Sequence, residues 1–371
     1  MGMRVLWVYP TGVRLDAAGE EQTKGGCQNG STLAESLMDA ILITPVVLIV
    51  PTAFYIWLIQ QIDRFEREPL PHLVAAFIWG AIPAVMGSVV LQSLVSMPLS
   101  NDLAQGSLLA ELVDGSLSPA FTEEILKGLA VGVIAISFRK EFDGWVDGVV
   151  YGAMAGFGFA YVENILYLWG TETWEEWWTL LLLRTVVFGG LHGLWTALTG
   201  IGFGLARYRQ KNWMRVVCVL GGLAAAIAGH SIHNGALTLA GRANSENVQV
   251  SFILVALVNY GALIILMGLL WILASWLNHH TLTIYLKDEV PRTLSPELYE
   301  GIRSPNSMRL QQLRIVGKQK KALLQVAAEL AQKKMQRLKM GEEEGNTSEI
   351  RRLRKQLREV ILQINPKVGS L

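Results

Sequence analysis

Two adjacent carboxylates and a lysine lie inside a stretch that is otherwise apolar enough to cross a membrane. The stretch FTEEILKGL covers residues 121–129 and contains Glu123, Glu124 and Lys127. An ionisable side chain at membrane depth costs about 2.5 kcal/mol or more, so three of them together indicate function rather than chance. Lys127 can reach either carboxylate, because residues three and four apart are neighbours on a helix. For Glu124 and Lys127 alone, a structural ion pair is the alternative interpretation.

Three further apolar stretches carry polar side chains. GFGFAYVENILY contains Glu163 and Asn164, and GGLHGLWTALTG contains His192. AGHSIHNGAL contains His230 and Asn234, which lie one turn apart on one helical face. Unpaired polar groups are costly in lipid, so these side chains are expected to converge in the interior of a helix bundle.

Carboxylates and imidazoles that meet in a water-filled membrane cavity suit hydrolysis. A buried carboxylate can act as general base on water, and imidazole or amide donors can stabilise the resulting oxyanion. Two histidines and one glutamate around an open position also form a catalytic Zn²⁺ pattern, for which the candidates are Glu163, His192 and His230. The sequence has no HExxH motif. This modestly favours the version that requires no cofactor, and the sequence leaves the metal version open.

A proton-coupled transporter or channel is the alternative function, because buried Glu and His side chains also form proton relays. Transporters are commonly built from inverted repeats and broken helices, and the sequence contains no convincing internal repeat. A non-catalytic sensor or scaffold would leave the intramembrane carboxylates unexplained. No P-loop, dinucleotide-binding fingerprint or zinc-finger spacing is present, so nucleic acid is not a predicted partner.

The elements that must position these side chains are transmembrane helices. The mean hydropathy is +0.34, and the apolar residues form runs of the roughly 20 residues that a span requires. The predicted fold is all-α: a polytopic bundle of about seven transmembrane helices followed by a C-terminal cytoplasmic helical hairpin. The predicted spans cover residues 40–61, 72–97, 119–138, 146–169, 177–206, 214–240 and 250–277.

Basic residues in the short loops predict the orientation. Arg64, Arg67, Arg139, Lys140 and Arg207 follow the first, third and fifth predicted spans, and such loops stay on the cytoplasmic side. The N-terminus is therefore expected outside and the C-terminus in the cytoplasm.

Composition predicts three domains: a polar N-terminal tail at 1–38, the helix bundle at 39–278 and a basic cytoplasmic helical tail at 279–371. Within the tail, residues 308–340 and 349–364 have apolar residues at helical spacing. The lysines and arginines of this hairpin could attract anionic membrane lipid. A solvated basic face is the simpler interpretation.

Packing and depth can also be predicted. Gly148, Gly152 and Gly156 recur every four residues, and such a stripe lets a neighbouring helix backbone come close. At about 1.5 Å per residue, five side chains can share one level in the outer half of the membrane: Glu123, Glu124, Glu163, His230 and Asn234. His192 is expected to lie deeper, unless the fifth helix starts above the membrane interface, as its length allows.

The motifs in this order resemble the PrsW-type intramembrane proteases, which are similar to the CAAX-prenyl and Abi-type membrane proteases. The resemblance rests on EEILK as an EExxK motif, on FxxxE from Phe159 to Glu163, on His192, and on HxxxN from His230 to Asn234. The DRFEREP stretch after the first span resembles the family's first loop. The resemblance covers about residues 40–300.

The resemblance implies a hydrolase of the bacterial plasma membrane that cleaves single-pass or otherwise membrane-anchored proteins, as in site-1 processing of an anti-sigma factor. It implies Glu123 as the water-activating base, supported by Glu124 and Lys127. Glu163 stands where the CAAX and Abi relatives have a histidine, and His192 can supply that imidazole. His230 with Asn234 matches the relatives' oxyanion site. The family is described both as a metalloprotease and as a glutamate protease. The sequence gives no information on oligomeric state.

Overall fold

The structure, a computed structural model, describes residues 29–62, 68–96, 103, 106–139, 141–304, 308–342 and 345–364. Most of the predicted polar N-terminal tail lies outside these residues. So do Arg64, Arg67 and Lys140, on which the predicted orientation partly rests.

Every regular element in the described residues is helical. The α-helices are α1 (Asn29–Ile59), α2 (Leu70–Trp79), α3 (Val85–Leu91), α4 (Leu108–Leu112), α5 (Ser118–Ser137), α6 (Trp145–Trp169), α7 (Trp174–Leu182), α8 (Leu191–Arg207), α9 (Asn212–Arg242), α10 (Glu246–Tyr285), α11 (Pro296–Arg303), α12 (Arg309–Gln312), α13 (Gly317–Met340) and α14 (Asn346–Ile364). Wider π-helical turns occur at Gly80–Ala84, Gln92–Ser96, Val113–Leu117 and Leu183–Val187. The all-α fold class is confirmed.

Six stretches of helix in the described residues are long and apolar enough to cross a membrane. They are Ala40–Ile59, Leu70–Leu94, Trp145–Trp169, Trp174–Arg207, Asn212–Arg242 and Glu246–Glu289. They match six of the seven predicted spans. The seventh is α5, a helix of 20 residues that carries the three charged side chains of the EExxK motif, and its crossing of the membrane stays a prediction.

Two of these helices are longer than their hydropathy indicates. α1 begins at Asn29 and α10 continues to Tyr285, so both run through the predicted domain limits at 38–39 and 278–279. Hydropathy marks the part of a helix that faces lipid, whereas capping and packing set where the helix ends. Leu42, Val50 and Val258 are exposed on the surfaces of these helices, as lipid-facing side chains would be.

The glycine stripe of α6 packs backbone to backbone against α8, as predicted. A Cβ atom at Gly148 would lie 2.0 Å from the carbonyl oxygen of Gly200, and one at Gly156 would lie 2.2 Å from that of His192. Both distances are far below van der Waals contact. The close approach of the two helices therefore depends on glycine having no side chain at these positions. This close approach sets the position of His192.

Gly156→Ala is expected to lower the free energy of unfolding by about 1–3 kcal/mol, the usual cost of overpacking a tight interior. The added methyl group would meet the backbone of α8, which cannot rotate away as a side chain can. Chemical denaturation in detergent measures the effect. Gly221→Ala on α9 is the matched control, because a Cβ atom there meets nothing within 4 Å. Equal stabilities of the two variants would contradict the proposed tight interface.

The fifth predicted span is not one continuous helix. After α7 the chain makes a π-helical turn at Leu183–Val187, and α8 begins only at Leu191. Gly190 lies between them with φ +79°, a left-handed backbone conformation that glycine adopts without steric cost. The interruption places His192 one residue inside the N-terminus of α8.

Two tyrosines satisfy backbone carbonyl groups at this interruption. Tyr55 of α1 donates a hydrogen bond to the carbonyl of Thr185 at 2.8 Å, and Tyr260 of α10 donates to that of Gly189 at 2.8 Å. Irregular backbone at membrane depth is tolerated only where its polar groups find partners. The two tyrosines make the break compatible with a membrane interior.

The chain divides into two compact units. One comprises Met1–Ile59 and Pro69–Met267, and the other comprises Gln60–Glu68 and Gly268–Leu371. In the second unit, α13 and α14 form the helical hairpin predicted from the sequence and share a buried aliphatic core that includes Leu323, Leu330, Leu353 and Leu357. The first helix of the hairpin begins at Gly317, after the short helix α12, rather than near residue 308.

A buried carboxylate anchors the hairpin to the turn that follows α10. Glu289 accepts hydrogen bonds at 2.8 Å from Lys334 of α13 and at 2.8 Å from Arg354 of α14. Glu289 is buried, so these two cations compensate a charge that would otherwise be expensive to bury. The basic residues of the hairpin therefore serve the interior of this unit as well as its surface.

Candidate active site

Four helices of the first unit bring the predicted polar side chains into one cluster. The cluster consists of Glu123, Glu124 and Lys127 from α5, Glu163 from α6, His192 from α8, and His230 and Asn234 from α9. The prediction that His192 lies deeper than the others is wrong. The break before α8 places this imidazole at the level of the carboxylates.

Lys127 occupies the centre of the cluster. Its Nζ atom lies 2.7 Å from Oε1 of Glu124, 3.3 Å from Oε2 of Glu123 and 2.9 Å from Nδ1 of His192. The ammonium also lies 4.1 Å from the centre of the Phe159 ring, a favourable cation–π geometry. All three hydrogen-bond donors of the ammonium therefore have acceptors, which makes its complete burial tolerable.

Glu124 is the structural carboxylate of the pair. Its side chain has no exposed surface, and its oxygens accept hydrogen bonds from three side chains. Besides Lys127, these donors are Thr196 at 2.9 Å and His230 at 3.2 Å. An ionised carboxylate only accepts, so the proton of His230 is fixed on Nδ1 and the lone pair on Nε2. Asn234 donates to that Nε2 atom from 3.2 Å, and Trp195 stacks on the ring with the centroids 4.1 Å apart.

Glu123 has fewer partners and faces both imidazoles. Its Oε2 atom lies 4.0 Å from Nδ1 of His192 and 4.0 Å from Nε2 of His230. These separations are too long for direct hydrogen bonds. The side chains of Glu123, His192 and Glu163 retain 7%, 11% and 12% exposure, whereas that of Glu124 has none. Access to the cluster is therefore from the side on which these three groups lie.

Glu163 holds the opposite edge of His192. One oxygen, Oε2, lies 2.9 Å from Nε2 of His192 and also pairs with Nη2 of Arg184. Because this carboxylate accepts at Nε2, and Lys127 donates at Nδ1, His192 carries its proton on Nε2. The lone pair at Nδ1 then points to the side of the ring on which Lys127 and Glu123 lie.

A match to a protein-family model shows which family the chain belongs to. The model described as "PrsW family intramembrane metalloprotease" matches residues 68–267, more than half of the 371-residue chain. The chain belongs to the PrsW family. All of the cluster's residues lie within the matched region, so the resemblance seen in the motifs is confirmed.

Individual relatives agree with the family match. The chain is 30% identical over 152 residues to Protease PrsW of Geobacillus kaustophilus, an alignment that covers 40% of this chain and 60% of the relative. It is 29% identical over 165 residues to Protease PrsW of Bacillus subtilis, covering 43% of this chain and 68% of the relative. The match to the Geobacillus protein thus spans less than two thirds of that relative's length. No solved structure matches the chain.

The family description says metalloprotease, and three donor atoms of the cluster converge. One ligand atom each from Glu123, His192 and His230 lies within 4.8 Å of the other two. The second nitrogen of each imidazole faces a carboxylate, as is usual for metal-ligating histidines. The donor types therefore suit a divalent metal. Glu123 takes the place in this set that the sequence analysis gave to Glu163.

The position of Lys127 does not suit a metal in the same place. Its ammonium lies within hydrogen-bonding distance of two of the three donor atoms, on Glu123 and His192. A zinc ion would lie about 2.0–2.2 Å from the same atoms, where it would collide with the ammonium or repel it. The residues as arranged hold the lysine cation rather than a metal, and the chemistry below uses only groups of the chain.

Sequence reasoning missed two residues of the site. Arg184 contacts Glu163, and Trp195 stacks on His230. Arg184 is a charged residue inside the fifth predicted span, so the same cost argument that singled out Glu123 could have found it. Trp195 carries no such signal, because an aromatic residue in a membrane helix is ordinary packing.

Proposed function

We propose that the chain is an intramembrane endopeptidase that hydrolyses peptide bonds of single-pass or otherwise membrane-anchored proteins. Membership of the PrsW family supports the reaction class. With the N-terminus outside, as the loop charges predict, the cluster would lie in the outer half of a bacterial plasma membrane. The single observation that carries the mechanism is that Glu123 faces His192 and His230 at 4.0 Å each.

Glu123 is the general base in this proposal. The ionised cluster holds three carboxylates against the two permanent cations Lys127 and Arg184, so one added proton neutralises it while the imidazoles stay neutral. Glu124 already accepts from three donors and Glu163 from two. Among the residues that the structure describes, Glu123 accepts a hydrogen bond only from Lys127, at 3.3 Å, and its side chain is partly exposed. It is therefore the carboxylate best placed to take a proton from water.

The reaction follows from these positions. Glu123 removes a proton from a water molecule that it holds on the side of the His192 and His230 rings, and the water oxygen adds to the carbonyl carbon of the substrate. The proton on Glu123 then passes to the leaving amine as the C–N bond breaks. Each group returns to its starting protonation state.

The tetrahedral oxyanion is stabilised by donors beside the water position. Asn234 uses one amide N–H for His230 and has a second one to give. The Lys127 ammonium adds a positive charge close to where the oxyanion forms. Such preorganised donors supply the largest part of many rate enhancements. The Nε2 lone pair of His230 accepts from Asn234, so neutral His230 positions that amide rather than donating to the oxyanion.

The proposal is tested by incubating the purified chain in detergent with a single-pass model substrate and locating the cut by mass spectrometry. Wild type is expected to cleave near the outer end of the substrate helix. His230→Ala should lower kcat by about 10²–10³, as for loss of an oxyanion-site group. His279→Ala, an exposed position on α10, is the matched control and should cleave like wild type. Activity of His230→Ala equal to that of the control would contradict the proposal.

Two alternatives to this mechanism, a metal-dependent hydrolysis and a proton relay, each have an observation in their favour. The same test distinguishes them. The converging donor atoms favour a metal mechanism: loss of cleavage in a strong chelator, restored by Zn²⁺, would establish it and require Lys127 to move. The broken helix before His192 is a feature that transporters share. Absence of cleavage together with proton flux into vesicles would favour the proton relay.

A further inference from the structure

Arg184 is the most polar feature of the fifth span that the proposed reaction does not use. It lies in the π-helical turn Leu183–Val187, immediately before the break that leads to His192. Its side chain retains 23% exposure, so it is neither a surface arginine nor a fully buried one. π-Helical turns inside α-helices occur frequently at functional sites.

The hydrogen bonds and the ring contact of Arg184 link it to one turn of α6. Nη2 pairs with Oε2 of Glu163, and Nε donates to Oδ1 of Asn164 at 2.6 Å. The guanidinium carbon lies 3.8 Å from the centre of the Tyr167 ring. The guanidinium plane is thus fixed by two hydrogen bonds and one aromatic face. A lysine, with a single point charge, could not reproduce this fork.

We propose that Arg184 is a positioning residue for hydrolysis, acting through Glu163 on His192. The argument rests on the proposed function. Arg184 and His192 share the same oxygen of Glu163, so the permanent cation keeps this carboxylate in place as an acceptor. A fixed acceptor at Nε2 holds the imidazole by its N–H group, with Nδ1 turned to Lys127 on the side of Glu123. Partners of this kind are worth about 10–100-fold when they orient a functional histidine.

The sequence position of Arg184 explains why such a link is needed. The break at Gly189–Gly190 lies between Arg184 and His192, so α7 and α8 are not held in line by one continuous helix. Arg184 ties the π-helical turn to α6 on one side of the break, and the glycine contacts tie α8 to α6 on the other. The imidazole is therefore oriented from both sides of the interruption.

A double-mutant cycle tests this role. Arg184→Gln and Glu163→Gln are each expected to lower kcat by about 10–100-fold with little change in KM. The double variant should be no slower than the worse single variant, because both changes break one chain of contacts. Arg184→Lys should recover part of the loss. Arg242→Gln is the matched control, since Arg242 forms a half-exposed ion pair with Glu111 outside the cluster.

Independent losses that multiply in the double variant would overturn the inference, as would a rise in KM with unchanged kcat, which indicates direct substrate binding. A second readout does not depend on cleavage: the ¹⁵N signals of His192 in histidine-labelled protein, assigned with His192→Ala. In wild type the Nε2–H signal should be downfield and slow to exchange, because this group donates to Glu163. In folded Arg184→Gln the signal should move upfield or be lost to exchange. An unchanged Nε2–H signal in folded Arg184→Gln would overturn the inference, whereas failure of wild type to cleave would reject only the proposed function.

Discussion

Glu123→Gln is expected to reduce kcat by about 10²–10⁴, the usual contribution of a general base. The amide has nearly the same volume as the carboxylate and can still accept from Lys127, so the helix bundle should fold normally. It cannot take a proton from water at the position 4.0 Å from His192 and His230. Initial rates on a single-pass substrate, together with denaturation midpoints, separate loss of chemistry from loss of fold.

The control for this variant is Glu175→Gln, which removes an exposed carboxylate at the start of α7 and should cleave at the wild-type rate. Glu124→Gln gives the second comparison. Glu124 is held by three donors, so its replacement should mainly lower stability. Full activity in folded Glu123→Gln, with loss of activity in equally stable Glu124→Gln, would assign the base to the other carboxylate.

The sequence predicts those parts of the structure for which burying a charge in lipid, or leaving small residues without a close neighbour, would cost much free energy. Glu123, Glu124 and Lys127 stand out because charges are expensive in lipid. The stripe from Gly148 to Gly156 stands out because regular small residues need a close neighbour. Both inferences depend on local spacing along one helix, and the structure agrees with both. The convergence of the four helices follows from the same cost, because each polar group needs a partner.

The parts that could not be predicted depend on where a helix is interrupted. Hydropathy makes residues 177–206 one long apolar span, and depth counted along a continuous helix displaces His192 from the carboxylates. The Gly189–Gly190 pair is the only local sign of the break, and two glycines occur in many unbroken membrane helices. The decisive partners, Tyr55 and Tyr260, lie about 130 and 70 residues away along the chain and are chosen by tertiary packing.

The interrupted helix also accounts for the placement of chemistry near the start of α8. An α-helix N-terminus leaves its first backbone N–H groups without intrahelical partners and carries a partial positive charge. His192 is the second residue of this helix, and the carboxylates Glu123 and Glu163 lie beside it. The break thus places the partial positive charge of a helix N-terminus beside the cluster. The ionised side chains of the cluster have one excess negative charge, which this partial charge stabilises. A continuous helix would bury those backbone groups in hydrogen bonds.

Lys127→Met is expected to lower the free energy of unfolding by about 3–5 kcal/mol and to abolish cleavage. The change removes the cation that contacts Glu123, Glu124 and His192 and leaves buried carboxylates without it, the situation in which breaking a buried ion pair is most costly. Denaturation of the detergent-solubilised protein measures the loss. Lys211→Met, at an exposed position before α9, is the control for removing a lysine.

The double variant Glu124→Gln/Lys127→Met separates burial cost from chemistry. It removes one charge of each sign from the interior, so most of the stability should return. Cleavage should stay absent, because the ammonium beside the oxyanion is still missing. The opposite pattern is equally informative. If Lys127→Met is as stable as wild type and binds one equivalent of Zn²⁺, a metal has taken the place of the ammonium between Glu123 and His192, and the lysine-centred mechanism is wrong.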